Sequence, residues 1–91
     1  MIEGRTSSGF AFCLDPDSLD DMELLEKIGA WDKGDITCIK DVIIGIIGQG
    51  GKDALYEHCR DEKGKVRASK VMTEIIEIFD IAKKTNDEAK N

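Results

Sequence analysis

The stretch from Asp41 to Leu55, DVIIGIIGQGGKDAL, constrains this chain more than any other, because an isoleucine-rich run meets four glycines within seven residues. Periodicity alone cannot separate a buried strand from a helix in a short apolar run. The twelve residues from Ile36 to Ile47 and their amphipathic neighbours favour helix. Ile36, Ile39, Val42, Ile43, Ile46 and Ile47 then share one broad arc, and Ile44 projects about 60° outside it. Gly48, Gly50 and Gly51 supply a stop and a turn, since glycine adopts the left-handed conformation that ends helices. Gly45 lies inside the helix at a cost of about 1 kcal/mol against alanine. It marks a close contact there or a tolerated weakness.

The same glycines raise the question of a phosphate-binding loop, G-x-x-x-x-G-K-S/T. Gly45 and Gly51 enclose five residues, not four, and Asp53 stands where a hydroxyl must hold magnesium. A carboxylate there repels phosphate, so Lys52 reads as a helix-start residue.

The rest of the chain reads as a mainly α domain: an N-terminal β-hairpin, about residues 2–14, and a compact bundle of four short helices. Ile2 to Thr6, the turn Ser7-Ser8-Gly9, and Phe10 to Leu14 form the hairpin. Phe10, Phe12 and Leu14 alternate onto one face and need a helical neighbour, because a lone hairpin is marginal in water. Ile2 to Arg5 coincides with a tetrapeptide engineered for removal of purification tags. Only Met1 precedes it, so it reads as native strand.

The first helix starts at a cap supplied by Asp17 or Ser18, with Asp20, Asp21 and Glu23 in its favourable first turns. Its apolar half holds Met22, Leu24, Leu25, Ile28 and Trp31, and Gly34-Asp35 ends it. The third helix runs from Lys52 to about Glu62, with Ala54, Leu55, Tyr56, His58 and Cys59 inward. Lys63-Gly64-Lys65 turns into a fourth, about Ala68 to Lys84, with a stripe of Val71, Met72, Ile75, Ile76, Ile78 and Phe79. Ile81 falls instead among Lys70, Glu74 and Glu77 on the polar side. Residues 1–84 thus form one domain, and the polar tail 85–91 is expected to be disordered.

The chemistry is sparse. Ninety-one residues contain one histidine, three cysteines and a net charge of −6. Nine acidic and three basic residues crowd positions 1–35, which disfavours nucleic acid as the main partner. Lys63, Lys65, Arg67 and Lys70 adjoin Asp61 and Glu62 and read as a solvated loop. Asp15, Asp17 and Glu26 imitate positions of a calcium loop, but Leu19 and Asp20 break it. Cys13, Cys38 and Cys59 form no close pair, so neither metal nor disulfide is expected, and no segment suits a membrane span. His58 reads as a hydrogen-bonded packing residue. No nucleophile is paired with a base, so the expectation is a non-enzyme without cofactor.

The chain resembles the short tail assembly chaperones of long-tailed, siphovirus-type bacteriophages and prophages. The resemblance rests on T-S-S-G-F at Thr6 to Phe10, D-D-M-E-L-L-E at Asp20 to Glu26 and G-D at Gly34-Asp35. It continues through A-L-Y-E-H-C-R at Ala54 to Arg60, D-E-K-G-K-V at Asp61 to Val66 and E-I-I-E-I-F at Glu74 to Phe79. It departs at Gln49-Gly50-Gly51 and at Pro16, both element boundaries. It implies a non-enzymatic protein of the bacterial host cytoplasm, absent from the mature virion. Such a protein binds the tape measure protein, keeps its apolar helices from aggregating and hands it over as tail tube protein polymerises.

A chaperone of this kind needs apolar surface left over after its own core is packed. Trp31, Val42, Ile44 and Ile81 lie at the margins of, or outside, their core arcs and are the candidate partner-binding residues. Contacts within a homo-oligomer are the plainer alternative for them. The competing function is a small helix-turn-helix DNA-binding regulator, with Gly48 to Gly51 as the turn and a reading helix from Lys52. Asp53, Glu57, Asp61 and Glu62 on that helix oppose its approach to phosphates.

Overall fold

The computed structural model describes the backbone of residues 1–89 and the side chains of residues 1–84. It is mainly helical, with an N-terminal hairpin. Strands β1 (Ile2–Arg5) and β2 (Ala11–Leu14) pair antiparallel in the register Ile2 to Leu14 and Arg5 to Ala11. Two backbone bonds, Thr6 N–H to Phe10 C=O and Gly9 N–H to Thr6 C=O, close the turn. Phe10, Phe12 and Leu14 are buried, while Ala11 and Cys13 face outward, so the alternation falls as expected. Burying each of these large side chains contributes about 1.5–3 kcal/mol, which is what a two-stranded sheet needs from its helical neighbours.

The first helix begins later than its sequence suggests. Asp15 caps a separate 3-10 turn, Pro16–Leu19, whose start suits the fixed φ of Pro16. The helix proper, α1 (Met22–Asp32), is capped by Asp21, whose carboxylate accepts from Glu23 N at 3.0 Å and Leu24 N at 3.2 Å. Neither Asp17 nor Ser18 caps it. The apolar half expected for this helix is also too broad. Leu24 alone is fully buried, Ile28 and Trp31 pack against the core, and Met22 and Leu25 are 69% and 49% exposed. A short helix covered on one flank buries a narrow stripe rather than a hemisphere.

Asp35 caps a second 3-10 turn, Ile36–Cys38, and the chain enters α2 (Ile39–His58). Hydrogen bonds from the hydroxyl and then the backbone N–H of Thr37 hold the Asp35 carboxyl below its usual range. Val42, Ile43, Ile46 and Leu55 of α2 are buried. Ile36, in the turn rather than the helix, is exposed. Two helices were expected here and one element is found, so three α-helices replace the expected four. Gly48, at φ 79° and ψ 171°, is the single residue inside α2 with non-helical angles. Its left-handed φ kinks the element, and helical geometry resumes at once. A helix-turn-helix uses a turn of three or four residues between helices, so a one-residue break does not favour the DNA-binding arrangement.

Asp61 organises the connection to α3 (Ala68–Ala89). Its Oδ1 accepts from Lys63 N and Lys65 N, both at 2.9 Å, and its Oδ2 takes the Arg67 guanidinium. The Lys65 N–H above all, with Arg67 and Lys63, holds the Asp61 carboxyl below its usual 3.8. The basic cluster is therefore a folded loop in which Arg67 is already paired. On α3, Val71, Ile75, Ile78 and Ala82 are buried, Met72 and Phe79 are half-buried, and Ile76 turns outward. The tail expected over 85–91 falls partly on α3, which runs to Ala89, and partly on residues 90 and 91, outside the described residues.

The reason for Gly45 is a close approach of α1. A Cβ there would lie 2.7 Å from Cδ1 of Leu24, itself only 4% exposed. Nothing lies within 4 Å of a Cβ placed on Gly50. Gly45→Ala is therefore expected to destabilise by about 1 kcal/mol or more, overpacking outweighing the gain in helix propensity. Gly50→Ala is expected to stabilise by up to about 1 kcal/mol. Urea denaturation of the two variants, read against the wild type, checks both signs.

Candidate functional site

The most organised polar arrangement among the described residues lies where the hairpin turn meets α3. Residues three or four apart on a helix stand above one another, so Lys70, Glu74, Glu77 and Ile81 form one stripe along α3. The hairpin turn docks on this stripe. Ser7 gives both its donors to Glu77, backbone N–H to Oε1 at 2.7 Å and hydroxyl to Oε2 at 3.0 Å. Thr6 donates its hydroxyl to Oε1 of Glu74 at 2.8 Å, and its oxygen accepts from Phe10 N. Ser8 donates to the same Glu74 oxygen at 2.5 Å.

Glu74 is 4% exposed and Thr6 3%, so this is a buried polar contact between residues 68 positions apart. Among the described residues no lysine or arginine pairs with Glu74, and the His58 imidazole stands with Nε2 3.6 Å from its Oε1. His58 Nε2 also lies 2.9 Å from Ser8 Oγ, and the imidazole tilts against Phe10 at 5.3 Å between ring centroids. His58 is thus a hydrogen-bonded packing residue, as expected, although it is more exposed than the inward position assigned to it. Ala54 is exposed too.

Ser8, His58 and Glu74 bring together the residue types of a hydrolytic triad, but not its geometry. A triad places serine and carboxylate on opposite ring nitrogens, whereas here both face Nε2. Ser8 has one proton, which it directs to the carboxylate, so its oxygen accepts from His58 N–H. A histidine that donates to the serine oxygen does not withdraw its proton. Cys59, beside the site, is buried. Burial first, and then the charge of Glu74, push its thiol above the usual 9.0, with Lys70 opposing. The thiol is therefore kept protonated and is a poor nucleophile. No group of histidine, cysteine and carboxylate side chains among the described residues can hold a metal ion.

A cavity of about 460 Å³ opens between the turn, the end of α2 and the start of α3, lined by Ser7, Ser8, His58, Ser69, Thr73 and Glu74 among others. None of these was singled out as a binding residue from the sequence. Sixty-six residues separate Ser8 from Glu74, and no local pattern connects them.

The four partner-binding candidates are dispersed. Val42 is a correction: it is 0% exposed and belongs to the core, so it presents nothing to a partner. A position at the edge of a helical arc is covered when a second element packs on that flank. Trp31 and Ile81 are half-buried against the core. The side of α3 that carries Ile81 looks polar on the helix alone, but it faces the hairpin: Ile81 Cγ2 lies 3.1 Å from where a Cβ on Gly4 would stand. Ile44 is half-buried and stands outside the core cluster. The largest outward apolar side chains other than Met1 are instead Met22, Ile36, Ile76 and Leu25. Among the described residues no helix is long and apolar enough to cross a membrane.

No family model, no curated protein and no solved structure matches this chain.

Two outcomes follow from the turn contacts. Thr6→Val keeps the shape but leaves Phe10 N and one acceptor position on buried Glu74 unmatched, and should cost about 1–3 kcal/mol in urea denaturation. Because the folded state raises the Cys59 pKa, stability is full below about pH 9 and falls as pH rises through the raised value. Cys59 should therefore resist iodoacetamide in the native state while exposed Cys13 reacts, and Cys59→Ala should remove its part of the alkaline loss.

Proposed function

We propose that this protein is a non-enzymatic phage tail assembly chaperone that binds the tape measure protein and promotes tail tube assembly in the bacterial host cytoplasm. The resemblance that runs from Thr6 to Phe79 supplies the family. The observation that supports the binding role is an outward apolar pair on α1. Met22 and Leu25 are three residues apart, share one face, and are 69% and 49% exposed.

Their surroundings select the partner's chemistry. Asp20, Asp21, Glu23 and Glu26 are exposed around this pair, at the end of the chain that holds most of the net negative charge. An apolar patch within an acidic rim favours an amphipathic helix that carries lysine or arginine beside its apolar face. The partner-binding surface is therefore assigned to Met22 and Leu25 and no longer includes Val42, while Trp31 packs on the core side of α1. Ile81 is occupied by the hairpin. Self-association into a homo-oligomer uses the same kind of surface and competes with this reading.

Co-expression with the tape measure protein of the same tail gene cluster tests the proposal. The chaperone should co-purify with it and keep it in solution. A Met22→Asp, Leu25→Asp double variant should lose about tenfold or more in affinity, as for central interface residues, with stability changed by about 0.5 kcal/mol or less. Absence of any binding by the wild type overturns the proposal. A complex that the double variant forms equally well moves the surface elsewhere.

A further inference from the structure

We propose that the cavity beneath the hairpin turn is a binding site for a primary ammonium group, with Glu74 as its counter-charge. This goes beyond the chaperone reading and uses no residue of the α1 surface. A carboxylate out of water is costly unless it is paired and hydrogen-bonded. Glu74 is 4% exposed, and among the described residues it has no lysine or arginine partner, only the His58 imidazole at 3.6 Å on its Oε1 side. Thr6 and Ser8 both donate to Oε1, and no hydrogen bond among the described residues reaches Oε2. No buried side-chain oxygen among them lacks a partner, so Oε2 is accessible, and Glu74 lines the cavity.

The hydroxyls around it are oriented as acceptors. Ser7 gives its proton to Glu77, Ser8 to Glu74, and Thr73 to the Ser69 carbonyl at 2.9 Å. Each proton is directed to a protein acceptor, which leaves oxygen lone pairs for a ligand on Ser7 and Thr73, whereas Ser8 already meets His58. A cavity of about 460 Å³ that offers a carboxylate and several hydroxyl lone pairs matches the three donors and positive charge of an ammonium. Lys70 stands on the cavity wall and reduces the attraction for a second cation.

Two sources present this group: a free small amine, and a lysine side chain of a bound polypeptide. Amide NMR of the intact chain is the test, with propylammonium chloride, N-acetyl-lysine methylamide and propanol titrated at matched ionic strength near neutral pH. Both amines should give saturable shifts at Ser7, Ser8, Ser69, Thr73 and Glu74, and propanol none. Tighter binding of the lysine derivative assigns the site to a polypeptide, and tighter or equal binding of propylammonium to a free amine. Glu74→Gln should weaken binding about tenfold or more, as expected for a charged hydrogen bond. Because Glu74 also holds the turn, Lys70→Met serves as the second variant. It leaves the carboxylate and hydroxyls in place and should bind the amines several-fold more tightly. Absence of saturable shifts, equal shifts from propanol, unchanged affinity in a folded Glu74→Gln, or unchanged or weaker affinity in Lys70→Met overturns the proposal. Loss of the amine site would leave capture of the tape measure protein by Met22 and Leu25 intact, so the two failures are distinguishable.

Discussion

The hairpin depends on a buried carboxylate. Glu74 on α3 receives the hydroxyls of Thr6 and Ser8, and Glu77 receives Ser7, so three consecutive turn residues are tied to one stripe of one helix. Without that connection β1 and β2 form a two-stranded sheet with little stability of its own. With it, Phe10, Phe12 and Leu14 are held over the core, and Gly4 brings the strand close to Ile81. The polar contact sets the position of the turn, and the apolar burial supplies most of the stabilisation.

A second constraint comes from the absence of a side chain. Leu24 fits against α2 because Gly45 presents no Cβ, which allows the one deeply buried residue of α1 to reach the isoleucine core. Gly48 then kinks α2 within a single residue, bringing Leu55 into the same core as Val42, Ile43 and Ile46. Charge is distributed around this core to different ends. The acidic residues of α1 remain in solvent, whereas Asp61 is consumed in folding the loop before α3. The acidic, partly apolar outer face of α1 and the cavity beside Glu74 are therefore separate chemical environments.

The residues legible in advance were those whose periodicity has one neighbour to satisfy. The hairpin alternation, Ile43, Ile46, Val71, Ile75 and Ile78 all lie where a simple pattern places them. The errors share a cause. Met22, Leu25, Ile36 and Ile76 lie on apolar arcs yet stay exposed, because an apolar arc says which side can be buried, not how much of it a neighbour covers. Val42 and Ile81 failed in the opposite direction, since another element lies over the margin of each arc. The candidate site was invisible because the contacts that tie the turn to α2 and α3 span 50 to 70 residues.

Local sequence by itself determined the hairpin, the helical character of the isoleucine run and the interruption at Gly48, because each depends on backbone preferences or on residues a few positions apart. Only the tertiary structure decided that the chain after Gly48 continues as one kinked helix, that Gly45 is a contact with Leu24, and that the polar side of α3 is a docking stripe. Those outcomes depend on which surfaces meet across the fold, and a helical wheel has no knowledge of what stands opposite it.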